Sequence, residues 1–335
     1  MKKIVKIIVL ALVTINVYSI LNSILVPKWT DGWTTTKIID GFYELEKNSI
    51  DALFLGSSEM IVSVSPMQIY GNYGITSYNL ATEQQDLLAS YYWLKESLKY
   101  QKPKVVILDT LFLFRTSEMA FYRKAFDYMK LSSVKIAAAN DITDGEKNET
   151  YYSLLFPIIQ YHDRWQNLTE NDFTYMSSDK KNIYKGFRIF TDEAYTKYTY
   201  FEKDSSTNKK DVIPKMEKYL EKIVNLCNEN NIELILTKIP MGQNYWYISY
   251  YNSVMELANK YNVRYIDLNE KTYASKLNID GHDSLDYGMY HVNYRGSIKI
   301  SNFFGKLLVD EYKLTDYRKD SKYDEWNKDY ELYIR

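Results

Sequence analysis

Short, continuous apolar runs recur along this chain, and they constrain its fold more than any other feature. Runs of strand length lie at Ala52–Leu55, Val105–Leu108 and Leu234–Leu236, with a weaker one at Val263–Leu268. Stretches of helical period separate them. Runs without polar alternation are typical of strands buried on both faces of a parallel sheet. With a further short strand at Ser77–Leu80, the sequence predicts an α/β fold with a doubly wound parallel sheet.

The spacing of the runs predicts the organisation of the chain. Residues 51–312 should form the α/β domain, with a long, mainly helical insertion at 112–212 after the third strand. So long a segment is either a helical cap over the carboxyl ends of the strands or a surface lobe, and we favour the cap. Residues 28–50 are predicted as a stalk, with Trp29 and Trp33 suited to the membrane interface, and 313–335 as a charged and aromatic tail.

The segment 1–27 is predicted to be a transmembrane anchor. Three lysines open it: Lys2, Lys3 and Lys6. An uncharged apolar stretch then runs from Ile7 to Val26, and about 20 such residues span a bilayer. A cleaved signal peptide usually has a shorter apolar region and a small-x-small site, and neither is evident. Because lysines before the span stay cytoplasmic, we expect a single-pass cell-membrane protein whose domain is extracytoplasmic.

Charge and metal-ligand spacing exclude some classes of partner. The formal net charge is −1, from 42 basic and 43 acidic side chains, so no overall basic field favours nucleic acid. No cysteine and histidine spacing fits a zinc site, and no glycine-rich loop fits a phosphate cradle. We therefore expect no nucleic-acid partner, no metal and no nucleotide cofactor.

The tripeptide Gly56-Ser57-Ser58 follows the first apolar run directly. The glycine permits a tight turn, and Ser58 is then presented at the start of a helix, where free amides and the helix dipole stabilise an anion. This position suits a nucleophile. It also suits a helix cap, because serine is a preferred N-cap residue, and the tripeptide alone favours the cap.

A serine nucleophile needs a base, and the chain has three histidines: His162, His282 and His291. His291 lies in "YHVNYRGS", before the last amphipathic helix. This block and "FLGSSEMIVSVSPMQIY" resemble the SGNH hydrolase superfamily. The likeness is to its membrane-anchored branch, which is related to alginate O-acetyltransferases and the D-alanyl-lipoteichoic acid biosynthesis protein, and it extends over most of residues 50–310.

The resemblance implies a flavodoxin-like strand order and assigns roles to residues. Ser58 would be the nucleophile and His291 the general base. The oxyanion would be held by the backbone amides of Ser58 and Ala81 and by the side chain of Gln85, with Gln84 as the alternative. Many members carry glycine at the position of Ala81, and alanine serves equally unless the backbone there needs a positive φ.

The orienting carboxylate departs from the family pattern. Members commonly place an aspartate three residues before the histidine, and that position is Gly288 here. Asp286 lies two residues earlier, and Asp283 lies further back. Because a one-turn loop can bring Asp286 to the ring, we assign it the orienting role. A degraded triad is the alternative.

Candidates for substrate contact lie in the insertion and near the strand ends. In "YHDRWQNL", Arg164 and His162 are predicted to face an anionic polymer or the acyl carbonyl. The alternative makes Trp165 a core residue and Arg164 its buried, ion-paired neighbour. The remaining candidates are Lys238, Asn293 and the aromatic pair Tyr245 and Trp246, which would line a sugar-binding cleft or simply pack.

These interpretations predict a membrane-anchored serine acyltransferase or esterase. Its substrates would be O-acyl groups of a cell-envelope polysaccharide or a teichoic-acid-like polymer. If it transfers rather than hydrolyses, the resemblance implies a membrane-bound O-acyltransferase partner that delivers the acyl group. The alternative is a catalytically inactive SGNH-fold module that binds an envelope polymer or a partner protein, and Gly288 motivates it.

Overall fold

A computed structural model describes residues 2–203, 205–242 and 248–335. The strands are β1 (Ala52–Leu55), β2 (Ser77–Asn79), β3 (Val105–Asp109), β4 (Glu233–Lys238) and β5 (Arg264–Asp267). They form one parallel sheet in the order β2-β1-β3-β4-β5. This is the flavodoxin-like order, so the predicted fold class is confirmed.

Helices cover both faces of the sheet. The α-helices are α1 (Lys2–Leu25), α2 (Thr35–Tyr43), α3 (Ser58–Ser63), α4 (Pro66–Tyr73), α5 (Leu87–Ser97), α6 (Met119–Phe126), α7 (Ser133–Ile142), α8 (Glu149–Leu155), α9 (Ile158–Tyr161), α10 (Glu170–Ser177), α11 (Pro214–Glu229), α12 (Ile248–Tyr261), α13 (Lys271–Leu277), α14 (Tyr294–Asp310) and α15 (Asp324–Tyr333). The β1-to-β2 and β3-to-β4 crossovers run in opposite directions, so right-handed connections place α3 and α4 on one face and α11 on the other. Accordingly, α14 packs against α3 and α4, and α5 packs against α11.

Helix α1 is long and apolar enough to cross a membrane, although a signal sequence has the same properties. Its most apolar 18-residue window has a mean hydropathy of 2.3, and none of that window is buried in the protein. The polar side chains within it bond to the helix itself. Thr14 Oγ1 donates to the carbonyl of Leu10, and Asn16 Nδ2 donates to that of Leu12. These bonds lower the cost of placing polar groups in lipid.

Two segments that were predicted to be peripheral belong to the core. Residues 28–50, predicted as a stalk, contain α2, and residues 313–335, predicted as a tail, contain α15, which packs against α4. Their buried apolar side chains are Ile38, Ile39, Phe42, Leu314, Tyr323 and Trp326. The first three share one face of α2, and Trp326 packs its ring 5.4 Å from that of Tyr70. Both segments are therefore parts of the folded domain.

The insertion is mainly helical, as predicted, up to Ser177, whereas the described residues from 178 to 212 form no helix; only part of the insertion lies near the carboxyl ends of the strands. Helix α6 borders the loop after β2, where Lys124 pairs with Glu83. The extended stretch 187–201 runs past α3, the loop before α14 and the loop after β5. In contrast, α7 packs against α5, while α9 and α10 pack against α1. These contacts support the cap interpretation for α6 and 187–201 but not for α7, α9 and α10.

Candidate active site

Ser58 is the first residue of α3, directly beyond the carboxyl end of β1. Its Oγ lies 2.9 Å from Nε2 of His291. The N-cap position belongs to Ser57, whose side chain makes no capping hydrogen bond, so the cap interpretation does not describe Ser58. Gly56 is needed for the turn, because a Cβ atom there would lie 2.9 Å from the Cβ of Asp109.

Asp286 reaches the other side of the imidazole. Its Oδ2 lies 2.6 Å from Nδ1 of His291, and its Oδ1 accepts from the backbone amides of Tyr290 at 2.7 Å and His291 at 3.3 Å. The loop turns sharply because Gly288 and Met289 both have positive φ, +106° and +50°. Gly288, the residue that motivated the degraded-triad alternative, thus helps to bring the aspartate to the ring.

The three side chains form one continuous chain of hydrogen bonds. When Asp286 accepts the Nδ1 proton, the neutral imidazole carries its lone pair on Nε2, which faces Ser58. The side chain of His291 is 19% exposed and that of Asp286 is 33% exposed, so solvent reaches this arrangement. Within the described ranges, no group of three His, Cys, Asp or Glu side chains converges on a possible metal position.

Trp33 is a site residue that sequence reasoning missed. Its ring lies 4.7 Å from that of His291, at an interplanar angle of 42°. Phe190, from the extended part of the insertion, packs edge-on against Trp33 at 5.5 Å. The prediction placed Trp33 at the membrane interface, and only the apolar face of the adjacent α2 signalled that this segment folds onto the domain.

A buried group of charges, which we call the serine-side cluster, lies next to Ser58. It consists of Glu59, Lys238 and Asp109. The Lys238 ammonium pairs with Glu59 and lies 3.8 Å from Oδ2 of Asp109, and its side chain is fully buried. Burial raises the pKa of Glu59 to about 7, although Lys238 acts in the opposite direction. Because Lys238 is enclosed, the prediction that it contacts substrate is wrong.

The loop after β2 supplies part of the predicted oxyanion hole. Ala81 is buried and is not among the residues with positive φ, so its backbone conformation does not require glycine. Gln85 is buried, and its side-chain amide donates to the carbonyl of Leu80 and the hydroxyl of Ser90, both at 3.2 Å. The side-chain amide of Gln85 is thus engaged by the loop and by α5, which leaves the backbone amides as the better oxyanion donors.

The remaining candidates near the triad do not form a substrate surface. Asn293 is the N-cap of α14: its Oδ1 accepts from the amide of Gly296, and its side-chain amide donates to two carbonyls of the preceding loop. The side chain of Asn293 therefore has a structural role as a helix cap, and its predicted contact with substrate is not supported. Tyr245 and Trp246 lie outside the described residues.

Arg164 lies at the end of α1 and not beside Ser58. Its guanidinium bonds to both carboxylate oxygens of Asp172, at 2.7 and 2.8 Å, and to the carbonyl of Leu25 at 3.0 Å. Lys28 lies 4.0 Å from the same carboxylate. We call Arg164, Asp172 and Lys28 the anchor-side cluster. The ion-paired alternative describes Arg164, and its predicted contact with substrate is not supported.

The neighbours of Arg164 lie on the surface. His162 is exposed, and its Nδ1 lies 2.9 Å from the carbonyl of Ile159. It therefore takes no part in the arrangement around Ser58. Trp165 is 66% exposed, so its assignment to the core is wrong. An exposed tryptophan at the base of an apolar helix requires another explanation.

Comparison with known proteins adds only a distant structural likeness. No protein-family model and no curated protein matches the chain. Among solved structures, the chain is similar to a proposed acylhydrolase from Bacteroides fragilis NCTC 9343. The TM-score is 0.36 and the identity 12%, over 84% of this chain and 97% of that one. This likeness is too distant to assign an activity, so function is inferred from the site geometry.

Proposed function

We propose that this chain is a serine acyltransferase or esterase of the SGNH type. The observation that supports it is the hydrogen-bonded series Ser58, His291 and Asp286. His291 accepts the proton of Ser58 as Oγ attacks an acyl carbonyl, and then returns it to the leaving group. The amides of Ser58 and Ala81 stabilise the oxyanion. The acyl-serine passes its acyl group to a polymer hydroxyl or to water.

The proposed acceptor is a cell-envelope polysaccharide or a teichoic-acid-like polymer, bound in a groove of about 740 Å³ that Lys37 and Arg188 help to line. The guanidinium of Arg188 lies 5.3 Å from the ring of Phe190, which packs on Trp33, the ring beside His291. Among the described residues, Arg188 forms no ion pair, and its Nε has no hydrogen-bond partner. Arg188 is thus connected to His291 only through Phe190 and Trp33, and a cation without an ion pair in this groove suits an anionic or hydroxyl-rich chain.

The proposed location is the outer side of a cell membrane, with α1 retained as the anchor and the N-terminus in the cytoplasm. Two contacts of the folded domain with α1 support retention. Arg164 bonds to the carbonyl of Leu25 at the end of α1, and Phe156 packs against Tyr18. For transfer, the acyl donor would come from a membrane-bound O-acyltransferase partner.

The test uses the full chain in detergent, because the folded domain contacts α1. The protein should release product from an activated acetyl ester and react with a fluorophosphonate. Ser58→Ala should abolish both, His291→Ala should abolish turnover, and Asp286→Asn should lose less, since partial activity commonly survives loss of the orienting acid. Ser57→Ala is the matched control and should retain both.

The result that would overturn the proposal is equally definite. If the folded chain neither hydrolyses the ester nor takes the label, Ser58 is not activated by its base. The alternative would then stand: a catalytically inactive module that binds an envelope polymer or partner protein through the same groove.

A further inference from the structure

The insertion exposes a group of large apolar side chains beside α1. They lie on α8, on α9, on the 3-10 turn His162–Asn167, on α10 or directly next to these elements. We call this group the apolar platform: Tyr152, Phe156, Ile159, Trp165, Phe173 and Met176. Trp165 is 66% exposed and Phe173 is 51% exposed. Clustered exposure of this kind marks an interaction surface.

Contacts with α1 show which part of that helix the apolar platform lies beside. The ring of Phe156 packs edge-on against that of Tyr18, at 6.1 Å between centroids. Met176 and Val26 line one cavity of about 270 Å³. Since Tyr18 lies seven residues before Leu25, the contacts extend over about the last 10 Å of the helix.

The length of α1 indicates how deep in a bilayer the contacts with the platform would lie. Its uncharged stretch from Ile7 to Leu25 is about 28 Å long, close to the hydrocarbon thickness of about 30 Å. The helix therefore needs its last turns to cross a bilayer. Tyr18 then lies within the outer leaflet, and Phe156, which touches it, lies at the same depth.

We propose that the apolar platform is embedded in the leaflet from which α1 emerges. Its partner is the lipid bilayer itself, at the boundary between acyl chains and headgroups. Aromatic and apolar side chains presented by short helices are typical of such interfacial binding. The platform gives the domain a second attachment beside the anchor, which fixes how the triad is oriented to the membrane. This inference rests on the proposed anchor role of α1 and is independent of catalysis.

Spin labels test the depth of the platform directly. The full chain, with Cys227→Ala to remove its buried cysteine, carries Trp165→Cys or Phe173→Cys and is reconstituted into phosphatidylcholine vesicles with 20% phosphatidylglycerol. The matched control is Leu332→Cys on α15, which is 50% exposed, like Phe173 at 51%. Nitroxides at 165 and 173 should be reached by a water-soluble nickel chelate about tenfold less than the nitroxide at 332, and oxygen should reach them more easily.

Each outcome has a distinct meaning. Vesicles that float with the protein but leave all three labels equally open to the chelate would overturn the platform, favouring a protein partner there, and leave the anchor intact. Protein that does not float with vesicles would overturn both. Ester turnover in the same vesicles reports on the triad separately, so failure of the enzymatic proposal would not be mistaken for failure of the platform.

Discussion

The two buried charge clusters have opposite compositions. In the serine-side cluster, one cation, Lys238, is shared by two carboxylates. In the anchor-side cluster, one carboxylate, Asp172, is shared by the two cations Arg164 and Lys28. The first cluster therefore has a surplus of negative charge when all its groups are ionised, and the second has a surplus of positive charge.

Each surplus has a local counterpart of the opposite sign. In the proposed mechanism, an imidazolium on His291 would be attracted to Glu59, and a charge on His291 lowers the pKa of that carboxyl. At the other end, Arg164 and Lys28 bond to carbonyls of Leu25 and Val26, at the negative end of the α1 dipole. The net charge of each cluster is therefore opposite to the charge of its neighbour, which is His291 for the serine-side cluster and the end of α1 for the anchor-side cluster.

The largest expected effect comes from removing the shared cation. Lys238→Met leaves Glu59 and Asp109 buried without a counter-charge, so we expect a loss of about 3–5 kcal/mol in the free energy of unfolding. Chemical denaturation followed by circular dichroism measures it. The control is Lys209→Met in an exposed pair with Glu256, where the loss should stay below about 1 kcal/mol. Equal losses would show that the buried cation is not essential.

Removing the shared anion should have a smaller effect. Asp172→Asn leaves Arg164 and Lys28 unpaired, but the Arg164 side chain is 21% exposed and can reach water. We expect a loss of about 2–3 kcal/mol, measured in the same way. Asp163→Asn, on the 3-10 turn that carries Arg164 but outside the cluster, should change stability by less than about 0.5 kcal/mol. A loss for Asp172→Asn that exceeds that for Lys238→Met would break the comparison.

Substitution of the two tryptophans after α1 should affect activity differently in the two regions. Trp33 packs on His291, whereas Trp29 packs on Tyr128, near the anchor side. Trp33→Ala should lower kcat for an activated ester by about 10- to 100-fold, because the imidazole loses a positioning contact. Trp29→Ala should leave kcat within about twofold of the wild type. Equal kcat values for the two variants would show that Trp33 does not position His291.

The smallest effects, counted per pH unit, are two pH dependences of opposite sign. Burial raises the pKa of Glu59 from 4.5 to about 7, so between these values the folded chain keeps a proton that the unfolded chain has lost, and stability falls as pH rises. Burial lowers the pKa of Lys28 from 10.5 to about 8, so between these values the unfolded chain holds the extra proton, and stability rises with pH.

Neither Glu59 nor Lys28 should contribute more than about 1.4 kcal/mol per pH unit to its slope, the limit for one proton. Denaturation midpoints across this range measure them. Glu59→Gln should flatten only the acidic slope and Lys28→Met only the alkaline one, so each variant is the control for the other. A variant that flattens both slopes would show that the clusters are not independent.

The sheet and the residues that meet at Ser58 were predictable because their signals are local. Strands buried on both faces need apolar residues in succession, and such runs appear in the sequence without knowledge of their partners. Asp286 was within reach of His291 on loop length alone, although the sequence did not show that Gly288 and Met289 would both adopt positive φ.

The remainder depends on contacts between distant parts of the chain. Whether Lys238 points outward or inward was decided by Glu59 and Asp109, each more than 100 residues away in sequence. Trp33 likewise meets His291 from a distant part of the sequence. A polar residue at a strand end and an aromatic residue near an apolar helix each fit two environments, and local pattern does not distinguish them.

The position of Trp33 limits where catalysis can take place. Trp33 is the eighth residue after Leu25, the end of α1, so even a fully extended chain would span no more than about 28 Å between them. With α1 in a bilayer, the triad is confined to a thin layer above the lipid. A substrate carried on the same membrane meets it at a high effective concentration, whereas a freely diffusing polymer gains nothing from this confinement. The tether would thus select membrane-linked acceptors before any pocket contact is made.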